Sequence, residues 1–405
     1  MKQSTQRNVL KRIRQSLIFT NDQLIPFVIC FIGTVIEITD LLTIYFTFQT
    51  MTSVEVYSPD NVILPAISIC HKYDLDEDLI REKIPRFNGS FELNKEDIRF
   101  NLTINELNEV TSKPKDFIHS CKVANTSFTN DKPDFVDCFQ VEPVQINLDA
   151  HRKCFTLFFG EQSSFTYSRV LFTDIFIVKL QLNTTVTNHP YFQMIVHDHD
   201  QEVTSNRGSP ETVLLDTHRF SDFVLTYYTE QIIAMGKPYS NCIDYFALYG
   251  QTKHDLIKKC IFNSIYEDYG ALDDEILVRL PLEHNDTNFI RGVRTSRYRS
   301  ACERNHTELE CTTKSFQLIL LRSLQGAEKA PGGGIISIEL GYPIGMQTTV
   351  TMVPKQDRVE YFCYMASMIN LWLEISVVGV VSFTFKKVRQ MAMKLIVIVR
   401  KKIDQ

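Results

Sequence analysis

Two stretches of the chain stay apolar for the length of a bilayer crossing. LIPFVICFIGTVIEITDLLTIYFTF at 24–48 and YFCYMASMINLWLEISVVGVVSFTF at 361–385 each run 25 residues without a Lys or Arg, where a span needs about 20. Both are predicted to be transmembrane helices. The competing prediction is a pair of buried helices in a soluble core. Between them the pattern changes. Short β-rich apolar runs recur at 62–70, 154–159, 170–182, 192–197, 223–228 and 335–352, bounded by Asn, Asp, Pro and Gly as strands usually are. Residues 252–266 space their apolar positions at helical intervals, and 313–326 are read as a second helix. Residues 74–118 are polar and acidic with short helical patches, and GAEKAPGGG at 326–334 reads as a flexible turn. The middle of the chain is thus expected to be an α+β domain without internal repeats.

Charge orients the two spans. Residues 1–23 carry five Lys/Arg against one acid, and 386–405 carry seven against one. Lys and Arg favour the cytoplasmic side, so both tails are placed inside and 49–360 outside. That middle region holds 31 basic and 43 acidic residues, a net of −12. It offers no basic footprint for nucleic acid. The first apolar run is too long for a signal-peptide core and no small-residue cleavage site follows it, so it is expected to remain as a span.

Two further patterns agree with this topology. Six glycosylation sequons begin at Asn88, Asn101, Asn125, Asn183, Asn285 and Asn305, all between the spans. Of ten cysteines, Cys30 and Cys363 lie in the spans. The other eight (Cys70, Cys121, Cys138, Cys154, Cys242, Cys260, Cys302 and Cys311) lie outside, an even number that reads as four disulfides of open connectivity in an oxidising compartment. No CxxC pair points to zinc. A plasma-membrane protein with two spans and cytoplasmic termini follows.

Little enzyme chemistry is legible. There is no nucleophile elbow, no phosphate-binding glycine loop and no HExxH, so no enzyme, cofactor or resident metal is expected. His197-Asp198-His199-Asp200 is read as a strand end entering a polar turn rather than as a metal site. The spans carry the chemistry. Ser367, Asn370 and Glu374 recur at steps of three and four and share one face of the second helix. An ionisable group within a span usually faces a bundle interior or a water-filled path; the alternative is a carboxylate bonded to a neighbouring helix. Glu37 and Asp40 lie three residues apart on one face of the first span, lining a vestibule or bonded to the second span.

Short motifs in a fixed order carry a family resemblance over nearly the whole chain. LPAISIC (64–70), KCFTLFFG (153–160), IVHD (195–198), KPYSNC (237–242), CTTKSF (311–316) and NLWLEIS (370–376) resemble, in order, motifs of the degenerin / epithelial sodium channel family, the amiloride-sensitive sodium channels. The resemblance implies a homo- or heterotrimeric, sodium- or cation-permeable channel in membrane lipid. Its ectodomain would have a β-rich palm and a helical thumb at about 242–325. It also implies a pore along the second span at Ser367, Asn370, Glu374, Ile375 and Ser376, a gating position at Cys363, and the pairs Cys70–Cys154, Cys121–Cys138, Cys242–Cys311 and Cys260–Cys302.

The chain departs from that family where selectivity is set. The cytoplasmic His-Gly is replaced in NDQLIP (21–26), the paired glycines of the second span by Ala366 and Ser367, the Gly of Gly-x-Ser by Glu374, and an acid below it by Ser382. Three Glu374 carboxylates around an axis would attract cations and favour Ca²⁺ beside Na⁺. Three rival classes share the topology. One is a two-span lipid carrier or receptor without a pore, another a non-conducting accessory subunit. The third is an ATP-gated trimer, which the acidic ectodomain disfavours.

Overall fold

The structure is a computed structural model. It describes residues 21–373 except 76, 88–94, 130–131, 161–164, 169–175, 188, 200, 204–210, 282–286, 325–333 and 344–346. Expectations for the tails, for Glu374, Ile375, Ser376 and Ser382, and for the sequons at Asn88 and Asn285 lie outside the described residues. The chain forms two compact units, Ser53–Thr351 and the paired terminal segments Met1–Thr52 with Met352–Gln405.

Two sheets organise the middle. The larger has eight strands, ordered Thr50–Tyr57, Gln347–Pro354, Asp222–Ile233, Ile335–Gly341, Phe176–Asn183, Ile118–Thr129 and Lys132–Asp137, with Thr312–Leu324 paired to Asp222–Ile233. The smaller runs Thr212–Asp216, Tyr191–His197, Ala66–Lys72, Arg152–Leu157, Gln145–Leu148 and Val278–Arg279. Alternation along these strands sends one set of side chains into a shared apolar core. Ile67, Ile69, Phe155, Phe192 and Met194 of the smaller sheet meet Val178, Leu180, Phe223, Leu225, Ile336 and Ile338 of the larger. The strand Ala66–Lys72 of the smaller sheet is buried on both faces. That explains why LPAISIC reads as a continuous run rather than an alternating one.

The expected helix at 313–326 is instead the strand Thr312–Leu324, antiparallel to Asp222–Ile233 along nearly its whole length. Phe316 and Leu318 enter the core while Gln317 between them is exposed, a period of two that only the partner strand makes decisive. The run at 335–352 divides into Ile335–Gly341 and Gln347–Pro354.

The helix expected from 252 extends over Lys253–Tyr269. Its N-cap Thr252 accepts a hydrogen bond from Asp255 N, and Gly270 closes it at φ 65°. A second helix, Thr295–Asn305, packs against it through Ile261, Ile265 and Cys302. The sequence reading did not place that helix, because its face is short and its composition strongly polar. Four disulfides join Cys70 to Cys154, Cys121 to Cys138, Cys242 to Cys311 and Cys260 to Cys302. The last ties the two helices together.

Candidate functional site

The polar residues singled out in the spans sit on two helices of the terminal unit. The first is Asn21–Phe46. Within it Val28–Phe46 has a mean hydropathy of 1.8 and only 11% of it is buried. Val28, Ile29, Phe31, Ile32, Val35 and Ile36 are exposed. Its threonines do not interrupt it. The Thr34, Thr39 and Thr43 hydroxyls donate to Cys30, Val35 and Thr39 carbonyls one turn back, at 2.8, 2.7 and 2.8 Å, so these three hydroxyls are satisfied within the helix.

The second helix is Arg358–Leu373, the described part of the second apolar run. The two helices pack along one stripe each. On the first, Thr34 and Leu41 are buried and Glu37 and Ile38 half-buried between them. On the second, Tyr361 is buried and Met365, Ala366, Met368 and Ile369 are half-buried. Next to the helix ends, Lys355 is tied to Gln49: its N–H donates to the Gln49 carbonyl at 2.8 Å, and its Nζ to Gln49 Oε1 at 3.0 Å.

The predicted pore residues fall on the other side of the second helix. Cys363, Ser367 and Asn370 are all exposed, two positions along from Tyr361, Met365 and Met368. At 100° per residue, two positions turn a side chain to the far side of the helix. The Ser367 hydroxyl donates to the Cys363 carbonyl at 2.8 Å, which holds those two positions on one line. A polar stripe therefore stands free of the packed seam. Sequence spacing had shown that these positions share a face, but not which face.

Glu37 and Asp40 do not share an environment as expected. Glu37 lies in the packed stripe and is half-buried, whereas Asp40 is exposed beside it. A three-residue step places two side chains near one another but not at equal depth when the seam crosses between them.

In the middle unit, His197 is structural. Its Nδ1 donates to the Asp198 carbonyl at 2.9 Å, so in the neutral ring Nε2 accepts from the Ser68 hydroxyl at 2.8 Å. Ser68 in turn meets Thr156 at 2.7 Å, and Asn147 donates to Thr156 at 3.2 Å. Burial lowers the His197 pKa to about 4, which keeps the ring neutral. Of the described sequons, Asn101 and Asn305 are exposed and Asn125 and Asn183 half-buried. The Asn183 side chain donates to the Asp116 carbonyl and accepts from Thr185. The sequence reading missed Tyr45 and Lys355, whose partners are distant in the chain and leave no local signal.

No family model matches the chain. No curated protein matches it either. Among solved structures, one titled as the cryo-EM structure of a proton-activated chloride channel aligns over 89% of this chain and 96% of its own, at 6% identity and a TM-score of 0.32. A likeness that loose assigns neither a fold nor an activity to this chain.

Proposed function

We propose that the chain is one subunit of a trimeric, cation-conducting channel of the plasma membrane. Two spans would cross the bilayer, both termini would be cytoplasmic, and the second helix would line the pore. The observation that carries this reading is the stripe of Cys363, Ser367 and Asn370, exposed on the face opposite the helix seam. Polar groups in a span are costly against lipid and are usually satisfied at a bundle axis or along water. In the sequence Glu374 follows Asn370 by four, the helical spacing of that stripe. The long apolar exterior of the first helix suits contact with lipid. The motif order of the sequence adds sodium or mixed cations as the permeant class. The half-buried Glu37 in the seam supports a role between helices more than in the conduction path.

The test is whole-cell current from the chain expressed alone and with like subunits, under ion substitution. Current whose reversal potential follows Na⁺ or Ca²⁺ is expected. Glu374→Gln keeps the shape and removes the charge, and it is expected to abolish Ca²⁺ block or permeation. Current that follows chloride, or divalent effects that survive Glu374→Gln, would overturn the pore assignment.

A further inference from the structure

Residues 291–304 gather five arginines, no lysine and a single acid, Glu303, within a middle region whose net charge is −12. Arg291, Arg294, Arg297, Arg299 and Arg304 are all exposed. Four of them lie on the helix Thr295–Asn305 or at its N-cap, Arg294. The helix is fixed from one side. Cys302 is 1% exposed and disulfide-bonded to Cys260, and the Thr295 hydroxyl donates to Asp273 Oδ2 at 2.7 Å. At 100° per residue, Arg297 and Arg304 stand about 140° and about 160° round from Cys302 and only about 20° from each other. Seven residues separate them, about 10 Å along the axis. Arg294 continues the stripe at the start of the helix, and the intervening Ser300 and Ala301 are small and exposed.

The acids around this helix are turned to its other sides. Glu303 lines the cleft towards Lys253–Tyr269 together with Arg299, one turn before it. Asp268 accepts from the Tyr298 hydroxyl at 2.6 Å. Among the described residues, Arg294, Arg297 and Arg304 form no ion pair. Arg304 Nε donates to the Ser300 carbonyl at 3.2 Å, which ties its guanidinium to the helix surface. The outer stripe is therefore cationic without a counter-charge of its own. Guanidinium groups pair with oxyanions through two N–H groups at a time. A basic run of this kind suits nucleic acid or a sulfated polysaccharide. Four disulfides assign the domain to an oxidising compartment, away from nucleic acid. The acidic remainder of the domain does not cancel the stripe, because exposed charges are screened beyond about 8 Å at physiological salt.

We propose that the stripe of Arg294, Arg297 and Arg304 docks a sulfated polysaccharide of the heparan type, whose sulfates pair with the guanidinium groups on successive turns. The stripe lies within the middle unit, so the inference does not depend on the channel reading.

The experiment is surface plasmon resonance of the full-length glycoprotein, held in phosphatidylcholine nanodiscs, over immobilised heparin. Saturable binding that weakens steadily with added NaCl is expected, since a bound polyanion releases counterions. Arg297→Gln combined with Arg304→Gln should weaken it by about tenfold. Both positions are exposed and Gln is a good helix former, so the fold is kept. Arg299→Gln removes the same charge from the cleft side and should do far less than Arg304→Gln alone. Asn305→Gln removes the adjoining sequon and should leave binding intact. Absence of binding, binding unchanged by the double variant, or equal losses from Arg299→Gln and Arg304→Gln would overturn the stripe. Loss of binding in Asn305→Gln would assign it to the glycan instead. Desulfated heparin that binds as well as heparin overturns the recognition of sulfate. Tighter arginine-dependent binding to phosphatidylserine vesicles than to heparin overturns the polysaccharide in favour of a lipid surface.

Discussion

The rings of Tyr45 and Tyr361 stack with centroids 4.4 Å apart and planes 28° from parallel. They join the last turn of the first terminal helix to the first turn of the second. Stacked aromatic pairs contribute about 0.5–1.5 kcal/mol beyond the area they bury. A double-mutant cycle of Tyr45→Ala and Tyr361→Ala, read by thermal unfolding in nanodiscs, is expected to show coupling of that size. Additive losses would mean that the rings are merely adjacent.

Cys363 is exposed on the second helix and forms no disulfide. An extracellular methanethiosulfonate reagent should modify it, and cysteine-directed labelling should be lost in Cys363→Ser. In a conducting assembly Cys363→Trp is expected to raise basal current. The added volume would disfavour the closed packing around the axis by about 1–3 kcal/mol. Unchanged basal current would place this position away from the closed constriction.

Asp273 is buried, and its carboxylate accepts from the Thr295 hydroxyl at 2.7 Å. Burial first, and then the neighbouring Asp274, push its pKa up from 3.8 to about 6, against the lowering effect of Thr295. The folded state therefore holds a proton that the unfolded state has released across that window. This contribution destabilises the fold as pH rises from 3.8 to about 6 and is fully present above it. Asp273→Asn is expected to raise the melting temperature at neutral pH and to leave it nearly unchanged at pH about 4. An equal shift at both values would exclude titration of Asp273 as the cause.

Lys153 is fully buried, donating to Thr111 Oγ1 at 2.9 Å and to the Asn108 carbonyl at 3.3 Å. Desolvation, with Lys113 nearby, lowers its pKa from 10.5 to about 7. Here the unfolded state binds more protons, so stability should increase from about pH 7 towards pH 9. Lys153→Met should flatten that rise. It is expected to raise the melting temperature more at pH 7 than at pH 9. Melting curves at the two pH values measure both effects.

The sequence by itself determined what depends on neighbours within a turn or along one strand. The apolar run of the first helix, the helical spacing of apolar positions from 252, and the recurrence of Ser367 and Asn370 on one face all follow from local spacing. Tertiary structure decided whatever needed a distant partner. TTKSFQLILLRSL became a strand because Asp222–Ile233 offered backbone partners along its length, and pairing outweighed local preference. Glu37 and Asp40, three residues apart, parted in depth because the seam with the second helix runs past only one of them. Gln193 looks like any polar residue within a strand. Register alone set it between Cys70 and Leu214, buried and without an acceptor. Periodicity reports which side chains share a face, but burial depends on what packs against that face, and the packing partners lie far away in the chain.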